Sequence, residues 1–147
     1  HEPPVIIIDM GTATTITVIG PNSRLLGGAI LPGAAVSLEA LSGAASLLPR
    51  ISLDAPKRAI GSGTVECMKS GAVFGAACAI DGMIERMEAE LGGSAALVAT
   101  GGLAGRIIPY CRHDIEIDDY MLLRGLSLIW ERNRREKRRE ARQTPRA

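Results

Sequence analysis

Val5-Ile6-Ile7-Ile8-Asp9-Met10-Gly11-Thr12-Ala13-Thr14-Thr15-Ile16-Thr17-Val18-Ile19 is the stretch from which the architecture of this chain can be read. Val5 to Ile8 is a short, continuously apolar and mostly β-branched run that ends in an acid and then a glycine, the pattern of a central strand followed by a turn. Strand one therefore delivers Asp9 to its end. Thr14 to Ile19 is β-branched again, and Gly20-Pro21-Asn22-Ser23 is a strong turn signal before Arg24 to Leu31, a third strand. Three strands joined by short turns predict an antiparallel meander.

Beyond Pro32-Gly33 the period changes. Val36, Leu38, Leu41, Ala44, Ala45, Leu47 and Leu48 recur near helical spacing, so a helix is expected to end before Pro49. Arg50 to Gly63 reads as an irregular crossing, after which Thr64 is expected to cap a long Ala- and Met-rich helix reaching about Leu91. Gly71, Gly75 and Gly82 within it are expected to permit close packing. Ala95 to Ala99 reads as a fourth strand, Gly101-Gly102 as a turn into a short helix through about Cys111, and Asp114 to Ile117 as a marginal fifth strand. Asp118 is then expected to cap a last helix to Asn133. The order βββααβαβα, without an internal repeat, predicts an α/β domain with a mixed sheet, a three-stranded antiparallel meander and then crossover helices. It resembles the ribonuclease H-like unit of the actin, sugar-kinase and chaperone superfamily.

The 147 residues have the length of one ordinary domain, and 46% hydrophobic content with only 3% aromatics predicts a core of Val, Ile, Leu and Ala. The net charge of +1 conceals an imbalance. Arg134 to Ala147 holds seven basic and two acidic residues, which leaves ten basic against fourteen acidic before it. Residues 1–133 thus read as the folded domain and 134–147 as a basic helix extension or disordered tail, a solvated charge run that does not by itself make a nucleic-acid binder. Cys67, Cys78 and Cys111 lack C-x-x-C spacing and suggest neither a disulfide framework nor a zinc site, which fits a reducing cytoplasm. No apolar run read from the sequence approaches the roughly 20 residues that span a bilayer, and no membrane role is expected. A buried-strand pattern that starts within five residues of His1 suggests a piece of something longer.

The chemistry concentrates in Asp9-Met10-Gly11-Thr12-Ala13-Thr14-Thr15. A glycine-containing hairpin can offer backbone N–H groups and threonine hydroxyls to phosphate oxygens, and a carboxylate at a strand end can hold a cation that offsets phosphate charge. The run D-x-G-T-A-T-T resembles that of the type III pantothenate kinases. Gly27-Gly28-Ala29-Ile30-Leu31-Pro32-Gly33 looks like the family's G-G-x-I-x-P-G, Leu48-Pro49-Arg50-Ile51 like its L-P-R-I, and Gly63-Thr64-Val65-Glu66 falls where it has N-T-x-E. Thr100-Gly101-Gly102-Leu103 and Leu123-Arg124-Gly125-Leu126 follow in order. The resemblance runs from about Val5 to Asn133 and covers the carboxyl half of the family's length.

The resemblance implies transfer of the ATP γ-phosphoryl group to pantothenate, giving 4′-phosphopantothenate, the first step of coenzyme A synthesis, with ATP and its magnesium between two domains. It implies that Asp9 binds a monovalent cation, potassium or ammonium. Gly11, Thr12 and Thr14 would contact ATP phosphates, Gly101 and Gly102 would form the adenosine-side turn, and Thr64 would contact pantothenate. Glu66 lies in the first turn of its helix, where a carboxylate suits the helix dipole without catalytic duty. Two positions depart from the family: Thr17 stands where a second acid is usual, and Gly63 where N-T-x-E has its Asn. The family's amino-terminal D-x-G-N-T loop and the G-A-D-R segment carrying the general base have no counterpart, so negligible kinase activity is expected of this chain alone. His113 is expected to be a surface residue and no replacement base. A homodimer through the long helix is implied. The competing readings are a non-catalytic dimerisation or regulatory module of the same fold, and nucleic-acid binding through the basic tail.

Overall fold

The computed structural model describes residues 1–143, with side chains described through residue 138. Its centre is a five-stranded mixed sheet in the order β3-β2-β1-β4-β5. β1 (Val5–Met10), β2 (Ala13–Ile19) and β3 (Leu25–Pro32) form the antiparallel meander, while β4 (Ala96–Thr100) pairs parallel to β1 and β5 (Glu116–Ile117) parallel to β4. The β-branched run thus supplies the central strand, paired on both edges.

Strand alternation assigns the two faces. Ile6, Ile8 and Met10 of β1, with Ile16 and Val18 of β2 and Ala99 of β4, enter a buried core with helices α1 (Ala34–Ala44) and α2 (Thr64–Leu91). Val73, Ala77, Ile80 and Ile84 line the buried side of α2 at helical spacing. Ile7 and Asp9 belong to the opposite face, which α4 (Met121–Gln143) borders at its first turns. The short α3 (Ala104–Ile107) and the 3-10 turn Ile108–Tyr110 connect β4 to β5 and contribute Ile107 and Ile108 to the core.

Several local expectations change. α1 stops at Ala44, since Ala45 is already extended (φ −116°, ψ 106°); beyond it Leu48 packs against the core from irregular chain, while Leu47 is 91% exposed. The N-cap of α2 is Gly63 and not Thr64, which is the first helical residue; Gly63 offers no side-chain cap. Asp118 does not cap α4 directly: its carboxylate accepts the Tyr120 N–H at 3.0 Å and pairs with Arg124. α4 runs through Asn133 without a break to Gln143, and residues 144–147 lie outside the described part. A Cβ placed on Gly71, Gly75 or Gly82 would meet nothing within 4 Å, so these glycines permit no close approach within this chain.

α2 is also long and apolar enough to cross a membrane by length and composition, with 28 residues and a stretch of mean hydropathy 1.3. The sequence pattern hid this because Ala, Gly, Met and Cys carry the apolarity. In the fold the same helix is the principal core helix and buries a carboxylate, Asp81, against the sheet-side loop.

Candidate functional site

Asp9 lies at the carboxyl end of β1, paired with Thr15 on β2 and Thr100 on β4. These partners share its face of the sheet, as do Ile7 and Thr17. Together with Met121, Leu122, Gly125, Leu126 and Ile129 of α4 they line a cleft of about 350 Å³. The floor is a carboxylate among threonine hydroxyls, and one wall is a row of apolar side chains. Asp9 is exposed, and Leu122, Leu126 and Ile129 are 70%, 55% and 58% exposed, so α4 stands off the sheet and leaves the cleft open.

The turn after β4 closes on the same strand end. Gly101 has φ +95°, and a Cβ there would lie 2.7 Å from Asp9 Oδ1 and from the backbone N and O of Met10. Leu103 N–H donates to the Met10 carbonyl at 3.1 Å. A side chain at residue 101 would therefore have to displace either the Asp9 carboxylate or the central strand. Gly102 faces open space and is exposed.

The hairpin Gly11-Thr12 is anchored from the other side. Gly33 N–H donates to the Thr12 carbonyl at 3.1 Å, and a Cβ on Gly33 would lie 2.4 Å from that oxygen and 2.5 Å from the Gly11 carbonyl. The Gly11 N–H is used within the hairpin, donating to Ala13 O at 3.0 Å, so it is not a free donor. Thr12 is exposed at the tip.

The structure thus brings Asp9, Gly11, Thr12, Gly101 and Gly102 to one end of the sheet. It does not bring Thr14 to that side: Thr14 pairs with Met10 and is 5% exposed on the helix-covered face, and Thr15 occupies the face of Asp9. Thr64 is not among the residues that line the Asp9 cleft. At 1.5 Å per residue α2 is about 42 Å long against roughly 17 Å for β4, so its first turns reach past the strand ends. There they pack with the irregular crossing: Ser70 Oγ donates to Ala59 O at 2.6 Å and Lys69 pairs with Asp54 at 2.8 Å. Thr15 and Thr17 carry no site assignment from the sequence motifs, yet the antiparallel pairing of the hairpin puts them on the face of Asp9. Thr17, where the resemblance leads one to expect an acid, lies in the cleft itself.

Among the described residues no three His, Cys, Asp or Glu side chains cluster in a way that could hold a metal ion. Asp9 is the single carboxylate in the cleft lining. Its donor set, one carboxylate with threonine hydroxyls, suits a weakly held, oxygen-liganded monovalent ion better than a transition metal.

His113 is tied to the core side. Its Nδ1 lies 2.8 Å from Asp81 Oδ1, and the buried Asp81 also accepts the Arg112 N–H at 2.9 Å and the His113 N–H at 3.3 Å. Burial pushes the Asp81 carboxyl up, but the His113 ring, the two amides and the His113 charge outweigh it and hold the group below its ordinary value of 3.8. The pair pins the loop before β5 to α2, which a free surface histidine could not do.

The family model described as type III pantothenate kinase matches residues 1–86, more than half of the chain. The chain belongs to the type III pantothenate kinase family. A type III pantothenate kinase of Moorella thermoacetica is 45% identical over 130 residues, which are 88% of this chain and 51% of that protein. One of Anaeromyxobacter is likewise 45% identical over 130 residues, with the same coverage. The chain therefore spans about half the length of the curated family members it matches. A solved structure from Campylobacter jejuni, described as belonging to a Baf family of transcriptional activators, superposes with a TM-score of 0.68 at 26% identity, covering 90% of this chain and 59% of that one.

Proposed function

We propose that this chain is the nucleotide-facing, carboxyl-terminal half of an ATP-dependent kinase that phosphorylates the primary hydroxyl of pantothenate to 4′-phosphopantothenate. The observation that carries the reading is the convergence, in a member of this family, of the D-x-G-T-A-T-T hairpin, the exposed Asp9 carboxylate and the Gly101 turn at one end of the sheet. The sheet order and crossover connections support a ribonuclease H-like unit of the actin-like ATPases.

In this reading the exposed Thr12 tip binds phosphate oxygens of ATP, which arrives with magnesium. Asp9, flanked by Thr15 and Thr17, holds a potassium or ammonium ion that offsets phosphate charge, and Gly102 leaves room for the adenosine side. Thr64 contacts pantothenate. Phosphoryl transfer depends on positioning and on charge stabilisation from both sides of the transferred group, so half a cleft is a poor catalyst. The other side, with the general base, would come from an amino-terminal half of the family's length, seated over the open cleft and the exposed apolar row of α4. The outer face of α2, with Gly71, Gly75 and Gly82 open, would be the homodimer surface, and the enzyme would work in a reducing cytoplasm.

The test joins this chain to the amino-terminal half of the Moorella relative and follows ADP release with pantothenate, ATP and potassium. The joined protein is expected to turn over and this chain alone to be silent; turnover by the chain alone would overturn the half-site reading. A joined protein that folds and binds ATP but never phosphorylates pantothenate would overturn the kinase reading. The basic α4, exposed along most of its described side chains, favours one second reading, a regulatory module that binds nucleic acid, with which the Campylobacter structure's description agrees. That reading requires polyanion binding that weakens steeply with salt.

A further inference from the structure

Thr64 opens α2 with little backbone support of its own. The residue before it, Gly63, is extended (φ −147°, ψ 165°) and makes no side-chain cap, and Gly61 stands two residues further back. Two glycines in three positions give a loop with more conformational freedom than any other residue type allows. The segment is nevertheless held, and Glu66 holds it. Glu66 Oε2 accepts the Ser62 hydroxyl at 2.6 Å and the Ser62 N–H at 2.9 Å, and the Arg58 guanidinium lies 3.7 Å from the same oxygen. The Ser62 hydroxyl, then the Ser62 amide, then Arg58 and Lys57 keep this carboxyl below its ordinary 4.5.

From the other direction Gly61 is wedged against the first turn. A Cβ there would lie 2.5 Å from Cys67 N and 2.7 Å from Glu66 C. A capping box joins a serine or threonine at the N-cap to an acid three residues on. Here the N-cap is glycine, and the acid reaches one residue further back, to Ser62.

We infer that Glu66 is the positioning residue for Thr64: by clamping Ser62 across the glycine N-cap it sets the direction in which the Thr64 hydroxyl meets pantothenate. The inference rests on the reading of Thr64 as a substrate contact. Glu66 itself does not touch substrate. It compensates for Gly63, which has no side chain with which to fix the loop.

Two measurements test it. Amide exchange by NMR on this chain is expected to show the Ser62 N–H exchanging about tenfold faster in Glu66→Ala, as befits loss of a charge-assisted bond. In the joined kinase, Glu66→Ala is expected to raise the KM for pantothenate about tenfold while leaving kcat and the KM for ATP unchanged, and Glu66→Gln, which keeps an oxygen acceptor, to recover most of the loss. Thr64→Ala serves as the reference. If Thr64→Ala raises the pantothenate KM and Glu66→Ala does not, the inference falls and the substrate reading stands. If Thr64→Ala has no effect, the substrate reading falls, and the positioning role with it. Lower kcat with both KM values unchanged would reduce Glu66 to a structural role, and unaltered Ser62 exchange would remove the clamp.

Discussion

Gly101→Ala is the sharpest test of how the site end is built. Two costs add. Residue 101 sits at φ +95°, where a non-glycine residue is strained by roughly 1–3 kcal/mol. The new methyl would also lie 2.7 Å from Asp9 Oδ1, Met10 N and Met10 O. Two of these three atoms are backbone of the central strand, which cannot retreat without disturbing its pairing to β2 and β4, so overpacking adds about 1–3 kcal/mol. The sum is roughly 2–6 kcal/mol, and with a urea slope of about 2 kcal/mol per molar the midpoint should drop by about 1–3 M. Gly102→Ala is the internal control: a Cβ there meets nothing within 4 Å, and residue 102 has no positive φ. Its change should stay within about 0.5 kcal/mol. Urea unfolding followed by far-ultraviolet circular dichroism on both variants decides the matter. Equal midpoints for the two would refute the claim that the turn is packed directly onto Asp9 and β1.

Asp81→Ala should destabilise by about 3 kcal/mol, because the Arg112 and His113 amides and the His113 ring lose their acceptor. Since the folded Asp81 carboxyl lies below its unfolded value of 3.8, its stabilisation is fully present above that value. It should be lost as pH falls through the lower folded value, so the wild-type stability curve should steepen below pH 3.8 and flatten in the variant. Cys67 and Cys78, both exposed, should react readily with a disulfide reagent, whereas Cys111, whose thiol burial pushes up to about 12, should react only on unfolding; three fast thiols would contradict the packing. Gly71→Ala and Gly75→Ala should each stabilise the monomer by about 1 kcal/mol, because both face open space on a helix. Sedimentation of the same variants separates a free face from a dimer face, since an obstructed dimer would dissociate more readily. Removing residues 134–147 should leave the joined kinase's turnover unchanged, and salt-sensitive polyanion binding lost with the segment would favour the nucleic-acid reading instead.

What the amino-acid sequence alone dictates in this protein is local. A β-branched run closed by an acid and a glycine makes a central strand, because neighbouring residues alone set the extended backbone and the turn. The turn signals after Ile19 joined it to the meander, and the ordered motifs from Asp9 to Leu126 identified the family. Long-range contacts decided the rest. Thr14 and Thr15 are adjacent in the chain, yet pleating and the pairing of Met10 with Thr14 bury one under the helices and put the other beside Asp9. Gly71, Gly75 and Gly82 looked like packing contacts, but they face away from the sheet that α2 covers. α1 ended at Ala44, where the chain turns extended and brings Leu48 rather than Leu47 against the core, and Glu66, placed where an acid suits the helix dipole, found Ser62 across a glycine cap. His113 carries no signal of its partner, since Asp81 lies 32 residues away and only the packing of α2 beneath the loop before β5 brings them together. Periodicity belongs to residues a few positions apart; a face, a cap partner or a buried ion pair belongs to segments that meet only when the chain closes.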